Sequence, residues 1–401
     1  MRRIRSLFVF VVLLAAGAAA LPGAALPAAK PETVGMSSAG LALLDGIISE
    51  AVARRDFPGA VMLVAHKGKI VYRKAFGVSQ WVPETRPLTP DMIFDLASVT
   101  KPVATATSVM LLVERGRIRL WDRVRLYVPE FTVWYGEKGL PSEEARLYNL
   151  LTHTSGLPPY TDAKEAAKKL GDPCDTADLV KLIAAIPKER PVGSEFVYSC
   201  LNYITLAHIV HEVSGRTLDQ FATENIFKPL GMSRTFYRPP AELLDQCVPT
   251  EVVNGQPLRG IVHDPLARLQ GGVSGNAGLF STADDLAVFA QMMLDGGSYG
   301  GVRILSPLTV ARMTETFPHL EEFGRGFGWD IDTDYSTVRG DLFGPRSYGH
   351  SGYTGTSIWI DPETKTTVIL LTNRVHPDDK GDIIALRSKV ANVVAAAIRG
   401  Q

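Results

Sequence analysis

Ser98 and Lys101 stand three residues apart in Ser98-Val99-Thr100-Lys101, the one place in the chain where a serine is followed at that spacing by a lysine. On a helix, positions i and i+3 share a face, with Cβ atoms about 5–6 Å apart. An amine that close can take the hydroxyl proton, so a weak nucleophile becomes able to attack a carbonyl carbon. Pro102 comes next, and proline is tolerated in a helix only in its first turn. Ser98 is therefore expected at a helix N-terminus, with Val103 to Glu114 continuing as a mostly apolar, buried helix. Backbone N–H groups and the positive dipole end lie there, suited to a developing oxyanion. A capping serine beside a surface lysine would look the same, so further partners must decide.

Two other stretches offer partners. Tyr198-Ser199-Cys200-Leu201-Asn202-Tyr203 lies between a turn and an apolar helix running to Gly215. A tyrosine at the mouth of a cleft can carry a proton between groups. Gly349-His350-Ser351-Gly352-Tyr353 leads into a late hairpin. Small residues at a strand edge let a substrate backbone approach closely, and the Tyr353 N–H could be donated to an oxyanion. The plain alternatives are a packing tyrosine and a glycine-rich strand start.

The elements that must position these residues are legible in outline. Ser37 or Ser38 caps a helix with Leu44, Ile47, Ile48, Ala51 and Val52 on one stripe. Ala60–Ala65 and Ile70–Phe76 read as strands around His66-Lys67-Gly68-Lys69, and Thr356–Ile360 with Thr366–Leu371 as a second hairpin. A last amphipathic helix carries Ile383, Leu386, Val390, Val393, Val394 and Ala397. Strands at both ends and helices between them predict an α+β protein, one antiparallel sheet built from the two termini. The sheet part is expected over about 31–95 and 300–401, and the helical part over about 96–299.

Residues 1–30 read as an export signal. Arg2, Arg3 and Arg5 precede an apolar centre from Leu7 to Leu14, with Ala18-Ala19-Ala20 or Ala28-Ala29 before the cut. The apolar run is short for a membrane span, so a membrane partner is expected only if the signal stays uncleaved. The remaining chain is expected in the periplasm or outside the cell. Equal numbers of basic and acidic residues, 42 of each, point away from nucleic acid. Three cysteines, Cys174, Cys200 and Cys247, leave at least one unpaired. Gly296-Gly297-Ser298-Tyr299-Gly300 matches G-x-S-x-G, but it follows an apolar helix where a nucleophile elbow needs a strand before it. His208 and His211 have no pattern to complete a metal site, and Gly324-x-Gly326-x-Gly328 lacks the setting of a nucleotide loop. No metal or cofactor is expected.

Taken together, Ser-x-x-Lys, the tyrosine and His-Ser-Gly resemble the motif set of the serine β-lactamase and penicillin-binding-protein superfamily. The likeness is to its class C-like branch, which also holds DD-peptidases and family VIII carboxylesterases. It extends through Asn149-Leu150-Leu151-Thr152-His153-Thr154-Ser155-Gly156, through 276–286, and through Gly326-Phe327-Gly328-Trp329. The resemblance implies that Ser98 is acylated, that Lys101 assists proton transfer and that Tyr198 acts as general base and acid. It implies that His350, Ser351 and Gly352 border the pocket, with the N–H groups of Ser98 and Tyr353 as oxyanion hole. Two departures stand out. Cys200 occupies a position where the family commonly has Asn or Asp, and a thiol is a poor substitute for an amide; Asn202 is the candidate to serve instead. His350 stands where penicillin-recognising members usually carry lysine, and a neutral imidazole holds a carboxylate less firmly. Both favour an esterase or peptidase over efficient β-lactam hydrolysis. The expected partner is a small molecule or peptide, such as a cell-wall peptide or a β-lactam. The competing reading is a catalytically silent binding or assembly protein on the same fold.

Overall fold

The computed structural model describes residues 25–132 and 144–399. The apolar centre of the proposed leader lies outside them. Six strands form the main sheet: β1 (Gly59–His66), β2 (Lys69–Gln80), β3 (Arg86–Pro87), β4 (Tyr348–Ser351), β5 (Ser357–Asp361) and β6 (Thr366–Thr372). Their order is β4-β5-β6-β1-β2-β3, and every pairing is antiparallel. The two chain ends therefore meet at β1 against β6, where Ala60 faces Thr372 and His66 faces Thr366. The β1–β2 hairpin closes in two residues, Lys67 at φ 49° and Gly68 at φ 75°, the left-handed pair that matches strand twist.

β1 explains why the fold has three layers. All its residues are buried, which requires cover on both faces. Because side chains alternate along a strand, Val61, Leu63 and Ala65 enter the large core shared with the helical region. Ala60, Met62 and Val64 enter a second core against α1 (Leu43–Ala53) and the C-terminal helix Ile384–Ala396. The helical region contributes α2 (Thr107–Glu114), α3 (Cys200–Ser214) and α4 (Ala283–Leu294), so the C-terminal helix is α5.

Several expectations need adjusting. The edge strand β3 was not foreseen, since two residues carry no period. The helical region also holds short ribbons, among them Phe94–Asp95 paired with Phe280–Ser281. Residues 25–30 are folded: Leu26 is buried, and Ala28 bridges Ile70 at the start of β2. Two local readings match. Ser37 caps the first helical turn through Gly40 N–H. After α4 the chain turns through Gly296 and Gly297, both at positive φ, and Ser298–Tyr299 pairs with Val302–Arg303 in a small ribbon. Cys174, Cys200 and Cys247 are all free. Among the described residues no helix is long and apolar enough to cross a membrane.

Candidate active site

Ser98 is placed by a braced loop. Asp95 sits in the ribbon with Phe280, Leu96 N–H donates to Leu279 O at 2.9 Å, and Leu279 N–H returns to Thr100 Oγ1 at 3.1 Å. Ala97, the residue before the serine, has φ 45°, a left-handed conformation that alanine seldom adopts. The buried Asp95 carboxylate holds it there, accepting Ala97 N–H at 2.9 Å and His263 N–H at 2.7 Å. Burial pushes that carboxyl upward, and the two N–H groups oppose the shift.

Ser98 lies in a short turn, and the backbone then widens into a π-helical stretch, Lys101–Ala106, before α2. The expected helix start is therefore present, with Pro102 in its first turn. Lys101 has no solvent exposure. Its Nζ donates to Ser98 Oγ at 2.8 Å and to Asn276 O at 2.9 Å, and lies 3.6 Å from Cys200 Sγ. It also stands 4.9 Å from the centre of the Tyr198 ring. Burial works against the ammonium, but the neighbouring Cys200 and Tyr198 groups offset it and hold the amine above its usual value. The Cys200 thiol is itself pushed up, by burial.

Tyr198 enters from the chain just before α3. Its ring stacks on His153 at 4.5 Å between centroids and approaches Tyr335 at 5.2 Å and His350 at 6.0 Å. Ser98, Tyr198, His350, Ser351 and Gly352 all line one cleft of about 560 Å³. Gly352 lies so close to the nucleophile loop that a Cβ there would fall 2.3 Å from Leu96 O and from Thr356 Oγ1. The close approach expected of small residues is thus made between strand and loop.

Cys200 and Asn202 fall elsewhere, while Tyr353 and His350 line the cleft in different ways. Cys200 does not line the cleft; its sulfur meets Lys101 from behind. Asn202 is fully buried, accepting Ser155 Oγ–H at 2.6 Å with its amide 3.4 Å from His153 Nδ1. One helical position past the cleft turns its side chain inward, so it braces the 153–155 loop and does not take Cys200's place. The Tyr353 side chain is 57% exposed at the rim and donates to Asp379 Oδ2 at 2.6 Å. His350 is not a surface residue: it is buried, and burial and then Arg325 and Lys101 hold it well below the usual histidine range.

Sequence reading missed Arg325, which sits among the three glycines of the 324–328 run. It is buried, paired with Asp330 at 3.1 Å, and donates to His350 Nε2 at 2.9 Å. The glycines serve packing: a Cβ on Gly328 would meet Ala106 and Pro102 at 2.8 and 3.0 Å, and these lie in the stretch that carries Lys101. Arg387, on α5, also lines the cleft and donates to Gly352 O at 2.9 Å and Thr356 O at 2.7 Å. His208 faces Glu212 at 3.8 Å along its own helix. Among the described residues no cluster of His, Cys, Asp and Glu could hold a metal ion.

A hydroxyl and a phenol that open on one cleft, with an amine sealed behind both, can pass protons while a carbonyl is attacked. An antiparallel sheet drawn from both chain ends with a helical region against it has the β-lactamase/transpeptidase architecture. The beta-lactamase family matches residues 44–391, and the chain belongs to that family. A Salmonella agona (strain SL483) protein, provisionally named a D-alanyl-D-alanine carboxypeptidase, is 32% identical over 378 residues, covering 88% of this chain and 86% of its own. Among solved structures, EstCE1, described as a hydrolase with promiscuous acyltransferase activity, superposes with TM-score 0.72 at 24% identity, over 89% of this chain and 99% of that one. A class C β-lactamase from Rhodobacter sphaeroides gives TM-score 0.64 at 21% identity, over 87% and 98%.

Proposed function

We propose that this chain is an exported serine hydrolase that forms an acyl-enzyme on Ser98. The observation that carries the reading is the 2.8 Å contact between Lys101 Nζ and Ser98 Oγ, made by a lysine with no access to water. Such burial of an amine without a carboxylate is costly, and a silent scaffold would have no use for it. In the proposed reaction Ser98 Oγ attacks the carbonyl carbon while its proton passes to the Lys101–Tyr198 pair. The tetrahedral oxyanion faces the Ser98 and Tyr353 N–H groups. Tyr198 then protonates the leaving group, and water releases the acyl chain by the reverse path.

The substrate is proposed to be an ester or amide ahead of a β-lactam. His350 is neutral and Cys200 is turned away from the cleft, so neither supplies the cation or the amide that would hold a lactam carboxylate. The carboxypeptidase name of the Salmonella relative supports a peptide substrate and an extracytoplasmic site of action. Intact-protein mass spectrometry against a D-Ala-D-Ala peptide, nitrocefin and short p-nitrophenyl esters tests this. An adduct is expected on Ser98 and lost in Ser98→Ala, with turnover fastest on ester or peptide. Absence of any adduct from all of these and from a fluorophosphonate ends the reading.

A further inference from the structure

His153 holds the segment around Tyr198 in three ways at once. Its backbone carbonyl accepts the N–H of Val197 at 3.0 Å, and its ring Nδ1 accepts the N–H of Ser199 at 3.0 Å. These N–H groups belong to the residues on either side of Tyr198: that of Ser199 lies in the peptide directly after it, and that of Val197 one peptide further back. Its imidazole also stacks on the phenol ring, 4.5 Å between centroids and 29° between planes. One residue can do all three only because its backbone is left-handed, φ 59°, which turns carbonyl and side chain toward the same segment. Such a conformation in a residue with a large side chain marks a local cost that other contacts offset.

The rest of the surroundings fix the imidazole in turn. It also packs against Tyr203, centroids 5.0 Å apart and planes tilted by 34°, and Tyr203 is anchored by donating its hydroxyl to Leu151 O at 2.8 Å. Because Nδ1 accepts a backbone N–H, the ring proton sits on Nε2, which has no acceptor among the described residues. His153 is buried, so this neutral ring is a rigid spacer between an anchored tyrosine and the tyrosine that opens on the cleft. Asn202 and Ser155 close the brace from below.

From this geometry we infer that His153 is the positioning residue for Tyr198: it fixes the phenol's backbone from both sides and its ring from one face, without itself touching substrate. The inference rests on Tyr198 carrying protons in the proposed reaction. His153 does not line the cleft, so it acts through Tyr198 or not at all.

The test is steady-state kinetics on whichever substrate turns over, using His153→Ala, His153→Asn and His153→Phe, each also in a Tyr198→Phe background. A misplaced catalytic group costs ~10²-fold per ångström, so His153→Ala is expected to lower kcat by that order with KM within about twofold. Asparagine offers a side-chain acceptor and tolerates the left-handed backbone, so His153→Asn should recover much of the loss. Phenylalanine keeps the stack alone and should not. In the Tyr198→Phe background the alanine change should cost less than about twofold more, as expected of residues acting in series. The inference is overturned if His153→Ala turns over like wild type, if only KM rises, or if the alanine penalty is the same with and without the phenol. Thermal melts separate these outcomes from unfolding, and His153→Asn, which keeps the backbone conformation, covers the case in which alanine does not fold. Wild-type turnover in Tyr198→Phe would remove the site reading and this inference together; an impaired Tyr198→Phe beside a fully active His153→Ala would remove this inference alone.

Discussion

Arg325 Nη2 lies 2.9 Å from His350 Nε2, and since a guanidinium can only donate, that nitrogen must accept. The imidazole proton is therefore on Nδ1, donated to Ser351 O at 2.8 Å. Both ring nitrogens are satisfied in the neutral form, and a second proton would have to face Arg325. The third motif of this chain thus carries no charge of its own, and Arg325, the cation against its imidazole, is tied to Asp330.

That arrangement predicts a pH dependence of stability. Burial, with Arg325 and Lys101, places His350 well below its usual 6.5, and the same causes act on His153. Between the folded and unfolded values the unfolded chain binds protons that the folded chain refuses, so stability rises with pH. The contribution is complete above about 6.5 and is lost as pH falls from there toward the folded values. Each histidine can contribute up to about 1.4 kcal/mol per pH unit in that window. Thermal melts from pH 8 to pH 5 should show a falling Tm, and His350→Gln should flatten the slope. An unchanged slope in that variant would show that the imidazole titrates freely.

Lys101 predicts a separation of activity from stability. The ammonium is wholly buried with a hydroxyl, a thiol and a carbonyl as partners and no carboxylate among them. Replacing a buried charge by an apolar side chain of similar length is often neutral or stabilising. Lys101→Met is therefore expected to melt at or above the wild-type Tm while acylation of Ser98 slows by about 10²–10⁴-fold, the usual worth of general acid–base assistance. Burst kinetics and a melting curve on the same preparation check both halves. A wild-type burst would remove the lysine from the chemistry.

Gly352→Ala tests how tightly strand and nucleophile loop are fitted. The new methyl would meet Leu96 O and Thr356 Oγ1, each at 2.3 Å, with Ala97 Cβ at 3.3 Å. Leu96 and Thr356 are also joined by a 2.9 Å hydrogen bond, so neither can retreat without breaking it. Overpacking of this kind costs about 1–3 kcal/mol. Chemical denaturation should register that loss, and kcat/KM should fall further than stability alone explains, because β4 and Ser98 are pushed apart. Native kinetics in a destabilised Gly352→Ala would mean the strand does not help form the site.

Residues whose partners lie within a few positions were legible in the chain. Ser98 and Lys101 announce each other through helical spacing, and the paired ends of the sheet follow from the short apolar runs Ala60–Ala65 and Thr366–Leu371 beside their turn residues. Arg325 was not legible because its partner His350 lies 25 residues away and its setting among glycines reads as a turn. Only the pairing of Asp330 with Gly349 brings the two segments side by side. The burial of Asn202, offered as a substitute for Cys200, was not legible either, because α3 begins at Cys200 and turns its side chain into the core. His153 lies in a stretch recognisable as a motif, yet its role depends on a backbone φ that no spacing reveals.

The folded residues before Pro31 predict where an export signal would be cut. Pro27 O accepts Ile70 N–H and Ala29 N–H donates to Ile70 O, both at 2.9 Å, while Leu26 is buried in the large core. A cut after Ala28-Ala29 would remove that side chain and both hydrogen bonds, at a cost of roughly 2–5 kcal/mol. A cut after Ala18-Ala19-Ala20 removes none of them. N-terminal sequencing of exported protein is therefore expected to begin upstream of Leu26, and a chain starting at Lys30 should melt several degrees lower than one starting at Leu21. Equal melting of the two chains would mean that the pairing with Ile70 contributes nothing to the fold.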